Sequence, residues 1–120
     1  MKKKMTVLVL EPEKEPYVKE IENSLEGMQS EVGGLVQALF PFADPVALLC
    51  HDEGKLIGLP WNRFLRDEKG FIYDVIVGTC LVVGLTEDDF GSLPQELCEK
   101  YAEVFRESVN IETILREGLL

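Results

Sequence analysis

"FIYDVIVGTCLVVG", residues 71–84, is the longest apolar stretch in the chain, and its division decides the fold. Asp74 interrupts it early, and Gly78 supplies a turn residue inside it. It therefore splits between Asp74 and Gly78 into an entry strand and a central strand, both rich in β-branched residues.

Working outward, "MTVLVL" (5–10) reads as a buried strand, "LVQALF" (35–40) and "VALLC" (46–50) as two more, and "KLIG" as a short return strand. "HDEGK" (51–55) and "RDEKG" (66–70) read as polar turns, and "LPWNRFL" between them as irregular, with Pro60 biasing Leu59 away from helix. Tyr17, Ile21, Leu25 and Met28 recur at helical spacing, so residues 17–30 are expected to form a helix opened by Pro16 and ended by "VGG". Residues 93–108 carry a second helix, with Ser92 as cap and Gln95 completing a capping box. Leu97, Cys98, Tyr101, Ala102, Val104 and Phe105 form its inner face. The expectation is one α+β domain over 1–120: a mostly antiparallel sheet of four to five strands with two amphipathic helices packed on it. A basic tail at 1–4 precedes it, and a short helix at 110–117 closes it.

The chain has 120 residues and a net charge of −10. Residues 11–31 hold seven acids against two lysines, and residues 85–120 hold nine acids against three bases. The middle, 32–84, is nearly balanced, with six acids and four bases. A surface this acidic repels a phosphate backbone, so direct nucleic-acid binding is not expected. No apolar run reaches the roughly 20 residues of a membrane span, and "MKKKMTVLVL" lacks a cleavage site for a leader. Cys50, Cys80 and Cys98 form no CxxC, and His51 is the only histidine. A Cys/His metal site is not expected; three buried thiols and a cytoplasmic protein are. No cofactor motif appears, and Asp52 and Glu53 read as a solvated turn rather than a cation site.

Two constellations stand out. In the first, Asp74 sits in an apolar strand and needs a partner, for which Arg63 is the natural cation. Either the two form an ion pair that pins the loop, or they line a pocket beside Trp61 and Asn62. There, Trp61 supplies a stacking platform and Asn62 both donors and acceptors. In the second, Glu96, Glu99, Glu103 and Glu107 share one helical face. That face is either plainly solvated or an imitation of a phosphate backbone. No nucleophile–base pair points to an enzyme: adjacent Cys50 and His51 would face opposite sides of a strand.

The opening strand, "EPEKEPYVKEIENSLEGMQSEVGG", "GLPWNR" and "YDVIVGTCLVVG" together resemble the family of the domain of unknown function 3846, from about residue 5 to 106. Its pattern keeps an Asn-Arg and an Asp before an I-x-G strand, which Asn62, Arg63, Asp74 and Gly78 match. Trp61 stands where the family has a smaller residue. The resemblance implies a non-catalytic accessory protein of phages and mobile elements that counters host defence in the host cytoplasm. Two routes follow: sequestration of a nucleotide-like ligand at Trp61, Asn62, Arg63, Asp74 and Gly78, or an acidic decoy that binds a host defence or DNA-binding protein. Self-association through a free strand edge stays open.

Overall fold

The structure is a computed structural model that describes residues 3–119; the first half of the basic tail, Met1 and Lys2, lies outside the described residues. The long stretch divides as expected. β6 (Ile72–Val77) ends at a turn on Gly78, and β7 (Cys80–Leu85) follows. Gly78 has φ +68° and donates its N–H to the Pro60 carbonyl at 2.8 Å. A Cβ there would lie 2.7 Å from Leu59 Cδ1, so glycine suits the position twice over.

β7 is the centre of a six-stranded, all-antiparallel sheet. The order is β2 (Tyr17–Glu22), β1 (Lys4–Leu10), β7, β4 (Val46–His51), β3 (Val36–Leu39); β8 (Phe90–Gly91) pairs with β7 beyond the end of β1. β5 (Trp61–Arg66) and β6 form a separate two-stranded sheet. Three helices complete the chain: α1 (Leu25–Val32), α2 (Gln95–Val104) and α3 (Ile111–Arg116). This is the expected α+β class.

The apolar runs of β1, β4 and β7 are continuous because both faces of the sheet are covered. On one face Met5, Val7, Val9, Leu49 and Leu81 pack against Met28 and Val32 of α1. On the other, Leu8, Leu10, Leu48 and Val82 meet Cys98, Tyr101 and Phe105 of α2 and Leu65 and Ile76 of the hairpin. Each fully buried Leu or Val contributes roughly 1.5–3 kcal/mol. Cys50, Cys80 and Cys98 are buried free thiols, as expected.

Four local expectations are corrected. Residues 17–22 form edge strand β2, and the helix starts only at Leu25, where Ser24 Oγ accepts the Gly27 N–H at 2.9 Å. It stops at Gly33, whose φ of +90° closes the C-cap. "KLIG" is turn rather than strand. "WNRFLR" is strand β5 rather than irregular. Ser92 does not cap α2: its Oγ accepts the Thr6 N–H at 2.9 Å, and Pro94 stands at the N-cap without a side-chain bond. The expected short terminal helix is α3, with Asn110 and Thr113 forming a reciprocal capping box. No helix among the described residues is long and apolar enough to cross a membrane.

Candidate functional site

The Asn62-Arg63 pair lies at the start of β5, where the hairpin leans on the main sheet. Asn62 has no exposed surface. Its Nδ2 donates to Leu10 O at 2.8 Å and Gly78 O at 2.7 Å, tying the end of β1 to the β6–β7 turn. Arg63 is 1% exposed. Its Nε donates to Phe105 O at 2.6 Å, and its two terminal nitrogens donate to Lys14 O at 2.6 Å, Asn62 Oδ1 at 2.7 Å and Glu11 O at 3.3 Å. One guanidinium thus closes the C-terminal end of α2 and straps down the loop after β1. In that loop Glu13 holds a φ of +62°, and its N–H is bonded to Ser108 Oγ at 2.7 Å. Burial pushes the Arg63 pKa down from its ordinary value. No carboxylate faces the group among the described residues; carbonyl dipoles carry its charge instead.

The Arg63–Asp74 pair expected from the sequence is therefore corrected. Asp74 lies opposite Leu65, near the other end of the hairpin, where Lys55 is its ion-pair partner. Trp61 is 46% exposed and packs edge-on to Phe64, with ring centroids 6.2 Å apart. Trp61, Asn62, Arg63, Asp74 and Gly78 do not converge on one pocket. Asn62, Arg63 and Gly78 form a closed structural joint, because their polar groups are turned onto backbone; Asp74 and Trp61 lie apart from it.

What the structure assembles instead is a cleft of about 470 Å³ between β5, Tyr73 of β6, α2 and the β3–β4 connection. Its walls carry Phe42, Phe64, Tyr73, Tyr101 and Phe105. Phe42 packs on Tyr101 at 4.6 Å between centroids and on Phe105 at 5.8 Å. Arg66 and Lys100 stand at the rim, and Arg63 closes the base. Lys100 Nζ lies 2.6 Å from Asp44 Oδ2, and the Tyr101 hydroxyl donates to the same oxygen at 2.7 Å. These two hydrogen bonds hold the Asp44 carboxyl below its usual range. Burial, with Asp44 beside it, pushes the Tyr101 hydroxyl pKa up. Arg66 donates to Gly70 O at 3.0 Å and to Glu117 Oε2 at 3.1 Å. The lining is therefore mixed: five aromatic rings, three of them packed on one another, and two rim cations that each hold one carboxylate partner, Asp44 or Glu117.

Of the glutamate stripe, Glu103 pairs with Arg106 at 3.5 Å and Glu107 pairs with Arg116. Glu99 accepts a hydrogen bond from Gln95 at 3.4 Å. Glu96 and Glu99 are exposed on the outer face of α2, but the helix spans Gln95–Val104 rather than 93–108, so Glu107 lies beyond it, off the expected shared face, and lines the cleft. His51 serves its turn, its Nδ1 accepting the Glu53 N–H at 3.0 Å.

Reading the sequence missed Phe42, Phe64, Tyr73, Lys100 and Arg66. Apart from Phe64 and Arg66, both on β5, they come from separate segments and share no spacing. The only local signal is an aromatic residue beside or two places from a cation, in Phe64-x-Arg66 and Lys100-Tyr101.

A family profile, that of a domain of unknown function (DUF3846), matches residues 5–106. The chain belongs to that family. The matched span runs from β1 through α2 and leaves out α3. It contains the joint made by Asn62, Arg63 and Gly78, and every cleft wall except those from Glu107 onward. No curated protein and no solved structure matches the chain.

Proposed function

We propose that this protein is a non-catalytic binding module that takes up a flat, anionic, nucleotide-like ligand in the cleft between β5 and α2. In that reading it is an accessory protein of a phage or mobile element, acting in the host cytoplasm to sequester a nucleotide-derived defence signal. One observation carries the binding reading. In a chain of net charge −10, this cleft has five aromatic walls and as many cations (Arg63, Arg66, Lys100) as acids (Asp67, Glu68, Glu107). The cleft beside Lys55 sets Asp52, Glu53 and Asp74 against one lysine, and the one beside Arg106 sets three glutamates against Lys14 and Arg106. Neither of those has a Phe, Tyr or Trp in its walls. An anion is least repelled where the lining is balanced. The decoy reading is weaker, because Glu103 and Glu107 have arginine partners.

The test is native mass spectrometry of the purified protein before and after exposure to a pooled nucleotide extract from defence-activated cells. A discrete added mass, lost in Tyr73→Ala and in Arg66→Ala, is the expected result. Both residues are exposed, so these variants are expected to fold. An apo mass in every sample would overturn the reading and turn attention to a protein partner at Glu96 and Glu99.

A further inference from the structure

The main sheet has two edges, and only one is charged. β2 carries Lys19, Glu20 and Glu22, follows Pro16, and has Lys19 paired with Glu31 at 2.7 Å. Charges and a flanking proline are ordinary devices against edge pairing. β3 has only the second: Pro41 follows Phe40, and the strand itself carries no charge. "LVQALF" (35–40) holds no charged residue, and no strand lies on its outer side among the described residues. Leu35 and Phe40 are each 61% exposed.

The ladder fixes which groups are free. The Asp52 N–H donates to Leu35 O at 2.8 Å, and Leu39 pairs with Leu48 across the same two strands. Bonded and non-bonded pairs alternate in an antiparallel ladder. Leu35, Gln37 and Leu39 therefore turn their backbone groups towards β4, and Val36 and Ala38 turn theirs outward.

We infer that β3 is a self-association edge, which pairs antiparallel with β3 of a second copy about a two-fold axis at Ala38. In that register Ala38 faces its own mate, and Val36 faces Phe40 of the other copy. Val36, Ala38 and Phe40 lie on one face of the strand, so each exposed Phe40 covers a half-buried Val36 across the axis. The two sheets then become one continuous antiparallel sheet.

Charge selects a second copy over a foreign peptide. Two chains of net charge −10 repel wherever their acidic surfaces meet, so a self-contact needs a neutral patch, and this edge is one. The interface is also isologous, as a two-fold dimer requires.

The experiment is sedimentation velocity on the full chain over a concentration series, at low and high salt. A dimer fraction that rises with concentration and with salt is expected, since salt screens the repulsion between copies. Ala38→Pro removes an outward donor without touching the β4 ladder, and Phe40→Glu sets a charge against an apolar neighbour. Each variant, folded by circular dichroism, is expected to sediment as a monomer where the wild type is dimeric. A wild type that stays monomeric throughout, or a dimer that survives in either folded variant, overturns the inference.

Discussion

At the entry end of β5, Asn62 and Arg63 are buried and bonded to the backbone of β1, the loop after it, the β6–β7 turn and the end of α2. At the exit end, Phe64 and Arg66 face a cleft, and Arg66 keeps only Gly70 O and one exposed ion pair. Two arginines three residues apart thus have opposite roles. Residue type does not separate them. What separates them is whether any hydrogen-bonding capacity is left for a ligand, and burial decides that.

Arg63→Ala tests this contrast most severely. It leaves the carbonyls of Phe105, Lys14 and Glu11 without their shared donor. Losing several charge-assisted bonds in a buried site costs about 4 kcal/mol, read as a shift in the urea midpoint. Arg63→Lys is expected to recover less than half, because a point ammonium cannot span three segments as the planar fork does. A loss under about 1 kcal/mol would mean that the joint does not hold the loop and helix end together.

Smaller losses are expected around the same joint. Asn62→Ala strands Leu10 O and one acceptor of Gly78, for about 2 kcal/mol. Gly78→Ala forces a side chain into the left-handed region and against Leu59, for about 1–2 kcal/mol. If the two single changes sum to the double mutant, Asn62 and Gly78 act separately and the idea of one joint weakens.

The exit end should behave in the opposite way. Arg66→Ala and Lys100→Ala are expected to leave the urea midpoint nearly unchanged and to cut affinity for an anionic nucleotide about tenfold each, measured by calorimetry. A large midpoint shift with intact binding would reverse the roles assigned to the two ends. Acid offers a milder probe of the same rim. Asp44 has its pKa lowered by Lys100 and Tyr101, so its stabilising contact is complete above the ordinary carboxylate range and is lost as pH falls through the lowered value. Glu117, lowered chiefly by its hydrogen bond from Arg66, follows the same sign. Hydrogen exchange is therefore expected to quicken around Tyr101 and Arg66 below about pH 4, before the Asn62–Arg63 joint opens.

How much of this was legible in the sequence follows from burial. β1, β4 and β7 were readable because both their faces are covered, so their apolar runs are uninterrupted. The middle of α2 was readable because one face is buried and the other is not, but its end was overrun: the helix stops at Val104, and Val104, expected on the inner face, is exposed. β2 was misread because an edge strand with only Ile21 buried shows no alternation, and Tyr17, Ile21, Leu25 and Met28 fell at helical spacing by coincidence. β5 was misread because Asn62 and Arg63 look like loop residues until their backbone partners are known. Those partners lie far away in the chain, as far as Leu10 and Phe105, and no local pattern announces them. The cleft was invisible for the same reason, its walls coming from five separate stretches of the chain.

The smallest effect is expected at Asp74, and there the contrast between bonded and exposed polar groups is sharpest. The sequence made Asp74 the natural partner of Arg63; in the structure it meets Lys55, with side chains 36% and 61% exposed. An ion pair that open gains little Coulomb energy and is screened by salt, so Asp74→Asn is expected to cost about 0.5 kcal/mol at low salt and nothing measurable at high salt. The Val75 N–H, bonded to Asp74 Oδ1 at 2.8 Å, keeps an acceptor in the amide oxygen, which removes the other route to a large loss. The decisive comparison is a double-mutant cycle with Arg63→Lys. Additive losses mean that the two residues act independently, as their separate partners imply. A coupling above about 1 kcal/mol would restore the direct Arg63–Asp74 interaction, and with it a pocket at the entry end of β5.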